Sequence, residues 1–187
     1  GALADGESFA RTPAIYLDSG TVHPMPLATR AAAERYIEAR AAQGSASTSV
    51  DSAAVLASFA RLINAEPDEV AFVQSTTTAE HMIVDALGLF HSNAHVVTDT
   101  LHFFGSFPLY EGLARQGAQV TWLRPRDGRI VLEDMARAIT PRTRLVALSL
   151  VSTYNGFEHD LAEVCRLAHA KGALVYAVID HAAGSVP

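Results

Sequence analysis

Several residue types are rare in the sequence. Its 187 residues include one tryptophan, one cysteine and one lysine, Lys171. The cysteine, Cys165, can form no disulfide within the chain, and its apolar neighbours predict a packing role on a helix. Of the eight histidines, only His102 and His181 are placed to share a site, which gives too few ligands for a metal hydrolase.

Long apolar runs and basic clusters are missing as well. No stretch of about 18 uncharged apolar residues is present and the amino terminus has no signal-peptide pattern, so we expect no membrane partner and predict a cytoplasmic location. The net charge of −6, with no cluster of Lys and Arg, argues against nucleic acid as a partner. A hydrophobic content of 49% is enough for one substantial core. The expected partner is therefore a small molecule.

Short β-rich segments alternate with longer amphipathic segments along the chain, a pattern typical of α/β proteins. The predicted strands are 14–18, 70–73, 95–99, 119–123, 144–150 and 173–179. The predicted helices are 26–42, 51–64, 77–90, 105–116, 131–138 and 159–171. The segment 144–150 is almost continuously apolar, which indicates a strand buried on both faces. We therefore predict a three-layer α/β/α sandwich with a mostly parallel sheet.

Several predicted boundaries have a local cause. Asp51 can cap the second helix, and Gly117 and Gly172 can adopt the left-handed conformation that ends a helix. Asp127–Gly128 is a turn signal. The small-residue segment 44–49 is expected to be a mobile loop between the first two helices.

Ligands bind at the carboxyl ends of parallel strands, so the residues that follow each strand are the candidates for a site. Ser75, Thr76 and Thr77 follow the strand predicted at 70–73 and begin a helix. Their hydroxyls, the free backbone N–H groups and the positive end of the helix dipole can bind a phosphate. A helix cap without a ligand explains the same residues equally well.

Aromatic residues follow the strand predicted at 95–99. A flat heterocycle could stack on Phe103 or on His102. Taken alone, the simpler interpretation is that the aromatic rings pack in the core and that His102 lies at the surface.

Ionisable and polar residues follow three other strands. Asp180 and His181 stand side by side after the segment 173–179, where burial without partners would be costly, and this favours a functional role. The polar loops that contain His23 and Thr153 are explained equally well as a plain connection and a plain turn.

Five motifs, in this order, resemble the class V aminotransferase family, the fold-type I pyridoxal-phosphate enzymes that include cysteine desulfurases and isopenicillin N epimerase-like proteins. They span nearly the whole chain and read YLDSGTVHP, FVQSTTTAEHMIVDAL, VVTDTLHFFGSFPLYEGLARQGAQVTWLRPRDGRI, TRLVALSLVSTYNGFEHDL and ALVYAVIDHAAGSVP. The resemblance implies pyridoxal 5'-phosphate as the cofactor, an amino acid as the substrate and a homodimer. It divides the chain into an amino-terminal segment and helix at 1–50 and the amino-terminal part of the large domain at 51–187. That domain would have the fold of pyridoxal-phosphate transferases and be incomplete at its carboxyl end.

The resemblance also implies roles for individual residues. It assigns Ser75, Thr76 and Thr77 to the cofactor phosphate, Phe103 to stacking on the cofactor ring, Thr153, Asp180 and His181 to polar contacts with the ring, and His23 and His102 to the substrate. Phe103 stands where cysteine desulfurases usually have a histidine, so stacking is kept and proton transfer at that place is lost unless His102 turns inward. Thr153 and His181 replace an asparagine and a glutamine and keep hydrogen-bonding capacity.

Two positions depart from the family pattern. Val178 stands where the family has the acid that binds the ring nitrogen, and Asp180 follows two residues later, roughly 7 Å further along the strand. A bulge or a register shift could bring Asp180 back to the position of the acid. The family's covalently bound lysine follows the next strand, beyond residue 187, and Lys171 instead lies in the last turn of a helix, where a surface cation is expected.

Two functional hypotheses follow from these departures. The first is the amino-terminal part of an enzyme that acts on an amino acid by transamination, epimerisation, elimination or desulfuration, and that is inactive without the missing lysine. The second is a non-catalytic relative or fragment that binds a partner chain or a phosphate ligand without Schiff-base chemistry. A dinucleotide-binding domain is disfavoured because no G-x-G-x-x-G follows any strand. In either case the strand at 173–179 would be an exposed edge.

Overall fold

The computed structural model describes residues 8–10, 15–18, 20, 22–43 and 51–186. The chain divides into two compact units, Gly1–Pro67 and Asp68–Pro187. The division predicted between residues 50 and 51 stays a prediction. The loop predicted at 44–49 lies outside the described residues.

The first unit contains two helices, α1 (Leu27–Gln43) and α2 (Ser52–Ile63). Helix α2 begins where the sequence predicted, because the Asp51 carboxylate accepts a hydrogen bond from the Ala54 N–H at 3.0 Å. It ends at Asn64, whose φ of 56° is left-handed. Such a residue at the end of a helix allows the chain to leave the helix axis.

The second unit is built on four parallel strands in the order β2-β1-β3-β4. The strands are β1 (His95–Asp99), β2 (Gln119–Leu123), β3 (Thr143–Ser149) and β4 (Leu174–Val178). The helices are α3 (Thr76–Ala86), α4 (Phe107–Arg115), α5 (Leu132–Ala138) and α6 (Leu161–His169), with short 3-10 turns at Pro67–Glu69 and Phe104–Ser106. Strand β4 lies at one edge of this sheet, as predicted.

Helices cover both faces of the sheet. Val96 of β1 belongs to a buried cluster with residues of α3 and α4, whereas its neighbour Val97 belongs to a second cluster with residues of α5 and α6. Successive side chains of a strand point to opposite faces, so the two valines mark two separate cores. The predicted three-layer α/β/α sandwich with a parallel sheet is confirmed.

Two predicted strands do not form. Residues 15–18 and 70–73 have no strand hydrogen bonds, and in the second segment Phe72 and Val73 are 65% and 48% exposed. A strand exists only when a neighbour accepts and donates its backbone hydrogen bonds. Neither segment is part of the four-stranded sheet of the described residues.

The predicted helix and turn signals hold. Gly117 and Gly172 have φ values of 107° and 76°, so both adopt the left-handed region after their helices. Asp127 and Gly128 form a turn with φ values of 50° and 76°.

In the described ranges, no helix is long and apolar enough to cross a membrane.

Replacing Leu148 by alanine is expected to destabilise the chain strongly. Leu148 of β3 is fully buried between β1, β4 and the α5 and α6 layer, so Leu148→Ala should lower the free energy of unfolding by about 2–5 kcal/mol. Leu174→Ala is the matched control, because Leu174 on β4 is 51% exposed and should cost less than about 1 kcal/mol. Urea denaturation measures both, and equal losses would contradict the placement of the core.

Candidate functional site

Helix α3 begins at the carboxyl edge of the sheet with a run of hydroxyl residues. Ser75 caps the helix, since its Oγ accepts a hydrogen bond from the Thr78 N–H at 3.1 Å. The N–H groups of Thr76 and Thr77 have no helical carbonyl one turn before them and remain available to a ligand. The side chains of Ser75 and Thr77 are exposed. The donors and the dipole at this helix end suit a phosphate.

Tyr176 fixes the start of α3 beside the edge strand. Its hydroxyl donates to the Thr76 carbonyl oxygen at 3.4 Å, so β4 and the predicted phosphate-binding residues lie together. Burial, and then the negative charges of Glu80 and Asp180, raise the pKa of Tyr176 to about 12. Both carboxylates are therefore close enough to act on this part of the site. Tyr176 was not among the predicted site residues, because a tyrosine in a buried strand carries no functional signal.

A buried polar cluster lies beneath this edge, and we call Glu80, His102, Ser106, Tyr110 and Ser149 the Glu80 cluster. The Glu80 carboxylate accepts hydrogen bonds from Ser106 Oγ and Tyr110 OH, both at 2.5 Å. His102 Nε2 lies 3.2 Å from the same carboxylate, and His102 Nδ1 lies 2.9 Å from Ser149 Oγ. All five side chains are buried.

The hydrogen bonds of the Glu80 cluster are all satisfied when Glu80 is ionised. The carboxylate then accepts from His102, Ser106 and Tyr110, and the other imidazole nitrogen accepts from Ser149. Burial raises the pKa of Glu80, but the three hydrogen bonds lower it more, so its pKa lies below the ordinary value of 4.5. Burial and the Glu80 charge raise the pKa of Tyr110 well above its usual range. Tyr110 therefore stays a donor.

His102 is placed differently from the simpler expectation. Its ring is fully buried and hydrogen-bonded on both sides, whereas the aromatic residue Phe104 is 59% exposed. The expected surface histidine is thus wrong, because the Glu80 carboxylate and Ser149 supply partners for the ring in the interior. The predicted contact of His102 with a substrate stays a prediction, and any such contact requires the ring to leave these partners.

Phe103 lies at the carboxyl end of β1, half-buried, next to the Glu80 cluster. Its N–H donates to Ser149 Oγ at 3.1 Å, and its ring centroid is 4.7 Å from that of Phe104. The ring leaves no room for a side chain at Gly105, where a Cβ would lie 3.0 Å from Phe103 Cδ1 and closer still to Cε1. The loop thus holds a flat aromatic surface at the sheet edge.

Val178, which stands at the position of the family's acid, is the last residue of β4. Val178 is buried and lies opposite Ser149 in the sheet. The five residue pairs of β3 and β4 follow without a register shift, so the bulge that would re-aim Asp180 does not form. Asp180 instead lies exposed in a turn closed by hydrogen bonds from Ala182 and Ala183 to the Ile179 carbonyl oxygen.

The remaining predicted residues are spread over separate loops. Thr153 is exposed in the loop after β3, and His181 is partly buried in the turn that contains Asp180. His23 belongs to the first unit, where its Nδ1 lies 2.8 Å from the Pro24 carbonyl oxygen. The roles of these three residues stay predictions. Lys171 follows α6 and is exposed, as the sequence predicted.

A second buried acid and imidazole lie at the same sheet edge. Asp99 Oδ1 accepts from the Leu101 N–H at 2.8 Å. His159 Nε2 lies 3.3 Å from Asp99 Oδ2, close enough for electrostatic attraction but without hydrogen-bond geometry. This pair holds the loop before α6 against the end of β1. Sequence reasoning did not single it out, although an aspartate at the end of a fully buried strand was the available signal.

Comparison with known proteins identifies the family. The sequence profile of aminotransferase class-V matches residues 15–186. The chain belongs to the class V aminotransferase family. It is similar to the cysteine desulfurase of Cronobacter sakazakii, with 32% identity over 87% of the chain and 43% of that enzyme. The chain spans less than half of the length of the curated relatives that it matches.

Solved structures show the same fold. The cysteine desulfurase CsdA from Escherichia coli has a TM-score of 0.69 at 22% identity, covering 87% of this chain and 44% of that one. A variant of C-DES with glycine covalently linked to its PLP cofactor has a TM-score of 0.72 at 18% identity, covering 90% and 47%. The predicted resemblance to the large domain of pyridoxal-phosphate enzymes is confirmed. The family indicates pyridoxal 5'-phosphate as the cofactor.

The residues of the chain fit the phosphate and the ring face of this cofactor better than its ring nitrogen and its aldehyde. The exposed hydroxyls and N–H groups at the start of α3 are the donor set that a phosphate needs, and Phe103 offers a ring for stacking. Val178 offers no proton acceptor for a pyridine nitrogen. The chain's single lysine, Lys171, is exposed after α6.

Removing the hydroxyl of Thr77 is expected to weaken phosphate binding. Thr77→Ala should lower the affinity for pyridoxal 5'-phosphate and for inorganic phosphate by roughly tenfold, the effect of one lost hydrogen bond to a charged group. Isothermal titration measures both affinities. Ser52→Ala is the control, because Ser52 is also a hydroxyl residue in the first turn of a helix, α2. Unchanged affinity in Thr77→Ala would exclude this helix end as the phosphate site.

Acid is expected to destabilise the chain through Glu80. Because folding lowers the pKa of Glu80, the carboxylate stabilises the fold above pH 4.5 or so, and this contribution is lost as the pH falls through the folded pKa. Glu80→Gln should cost about 1–3 kcal/mol of unfolding free energy at pH 7, and the difference from the parent should narrow as the pH falls below the ordinary value of 4.5. Urea denaturation across this range measures it. A difference that stays constant with pH would show that Glu80 is not ionised.

Proposed function

We propose that this chain forms the part of a pyridoxal-phosphate enzyme that binds the cofactor phosphate and supports its ring, and that the complete protein acts on an amino acid. One observation carries the proposal: a hydroxyl-rich helix start, Ser75 to Thr77, lies at the carboxyl edge of a parallel sheet and is joined there to β4 by Tyr176. When bound, the cofactor would withdraw electrons from the substrate's α-carbon.

Each part of the site has a distinct task in this proposal. Ser75, Thr76 and Thr77 bind the phosphate, and Phe103 covers one face of the ring. Thr153 and His181 offer polar contacts to the ring, and Asp180 offers negative charge beside it. His23 is proposed for the substrate.

The electrostatics of the site support this division of tasks. The start of α3 carries the positive end of the helix dipole, whereas Glu80 and Asp180 place negative charge near Tyr176. An anionic phosphate and a ring that gains a proton would match these two ends. Because Asp180 lies exposed in a turn, its support for a ring proton is weaker than that of a buried acid opposite Ser149 would be.

The reaction type follows from the family only in outline. Transamination, epimerisation, elimination and desulfuration all remain within the proposal. A cysteine substrate is favoured by the names of the similar enzymes. The thiol that this chain itself offers is unsuited to nucleophilic chemistry, because burial raises the pKa of Cys165 on α6. The proposal includes a cytoplasmic location and a homodimer, and light scattering of the natural protein tests the second.

The alternative function is a non-catalytic relative or fragment that binds a partner chain or a phosphate ligand, such as the cofactor, without Schiff-base chemistry. Two observations favour it: Val178 is buried in the place of the acid, and Lys171 is the only lysine in the sequence. The first hypothesis and the phosphate-binding form of the second both require the phosphate site at α3. They differ in whether a lysine ever reaches the cofactor.

Borohydride reduction separates the two functions. This chain, saturated with pyridoxal 5'-phosphate and reduced, is expected to show saturable binding but no specific covalent addition at Lys171 by mass spectrometry. The natural protein, expressed from its full coding sequence, is expected to retain the cofactor on a lysine outside residues 1–187. Labelling of Lys171 that saturates together with cofactor binding and is lost in Thr77→Ala would place this lysine in the site, because non-specific labelling of a surface lysine does not depend on Thr77. Absence of labelling in the natural protein would favour the non-catalytic alternative.

A further inference from the structure

The Glu80 cluster encloses the backbone of Phe103 from both sides. On one side, His102 precedes Phe103 in the chain and binds Glu80, and Ser149 Oγ accepts the Phe103 N–H at 3.1 Å. On the other side, the Ser106 N–H donates to the Phe103 carbonyl oxygen at 3.0 Å, and Ser106 Oγ donates to Glu80 at 2.5 Å. The contacts form a closed ring that starts and ends at one carboxylate.

The side chain of Phe103 is constrained in the same loop. Its ring lies over Gly105, which has no Cβ to displace it. Ser149 and Ser106 hold the backbone that carries the ring, and the ring packs against that of Phe104 with 4.7 Å between the centroids. A flat surface for stacking is useful only when it is held at a fixed height and tilt, since aromatic pairs prefer defined offsets and separations.

A carboxylate at position 80 is better suited to this task than any neutral group. It accepts three hydrogen bonds at once, and hydrogen bonds to an ionised acceptor are about twice as strong as neutral ones. A glutamine in its place would offer one oxygen and one NH2 group. Its NH2 group would face Ser106 or Tyr110, whose hydroxyl would then have to accept instead of donating, and the neutral hydrogen bonds that hold the Phe103 loop would be weaker.

We propose that Glu80 is a positioning residue that holds the ring of Phe103 in place for stacking on the cofactor. The proposal rests on the proposed function, because it assumes that the cofactor ring lies against Phe103. Glu80 touches neither cofactor nor substrate in it. Its effect passes to Phe103 through His102, Ser149 and Ser106.

Pyridoxine 5'-phosphate is the probe that isolates this effect. It carries the ring and the phosphate of the cofactor but no aldehyde, so it forms no covalent bond with Lys171. Glu80→Gln is expected to lower the affinity for this probe roughly three- to tenfold, the range that loss of one aromatic stack gives. The induced circular dichroism of the bound ring should weaken in parallel. Affinity for inorganic phosphate should not change, because the start of α3 is untouched.

A double-mutant cycle with Phe103 separates positioning from a general loss of structure. Phe103→Leu removes the ring, so adding Glu80→Gln to it should cause no further loss of probe affinity. Losses that multiply in the double variant would overturn the proposal, because Glu80 would then act by a route that does not involve Phe103. An unchanged affinity and dichroism in Glu80→Gln alone would overturn it as well.

Gly105→Ala tests the same idea without altering the charge. A Cβ at Gly105 must push the Phe103 ring aside, so this variant should also weaken probe binding and dichroism while phosphate affinity is kept. Gly112→Ala on α4 is the matched control, since a Cβ there meets only Arg115 Nη2, at 3.8 Å. Gly105→Ala decides the question if Glu80→Gln fails to fold: binding equal to that of Gly112→Ala would contradict a positioned Phe103.

Ligand binding by the parent chain distinguishes a failure of this proposal from a failure of the proposed function. Failure of the parent to bind both the probe and inorganic phosphate would reject the function itself. Binding of the probe that responds to Thr77→Ala but not to Glu80→Gln, Gly105→Ala or Phe103→Leu would keep the function and reject the role of Glu80.

Discussion

One buried negative charge constrains the whole carboxyl edge of the sheet. Glu80 is 2% exposed, and removing a carboxylate from water costs several kcal/mol unless donors replace the water. The donors come from the loop after β1, from the turn before α4 and from α4 itself. Helix α3 can therefore pack on the sheet only when all three elements are in place. The first residues of α3 are held separately, by the Ser75 cap and by the Tyr176 hydroxyl.

The same constraint gives the site its polarity. Helix α3 presents its positive end at Ser75 and its acid one turn inside, at Glu80. Both charges belong to one helix, so the polarity of this sheet edge does not depend on the uncharged Val178.

Local patterns in the sequence predicted the strands that lie between helices, and two of them, 95–99 and 119–123, match residue for residue. The apolar residues of these two strands and the polar residues that flank them are close together in the sequence, so the local pattern was enough to predict the strands. The segment 70–73 has an equally good pattern but forms no strand, because a strand also needs a neighbour. The burial of His102 was missed for a similar reason: its partner Glu80 lies 22 positions earlier and looks like an ordinary polar residue of a helix.

The strand order has a consequence for the way this unit folds. Strand β1 is the earliest of the four in the chain yet lies inside the sheet, so both of its neighbours arrive later. His95 pairs with Gln119 on one side and with Thr143 on the other, 24 and 48 positions away. The chain loses entropy when such long loops close, before strand pairing stabilises the sheet. This order of events slows folding. During synthesis on the ribosome, the backbone of β1 therefore gains its strand hydrogen bonds only after β2 and β3 have been made.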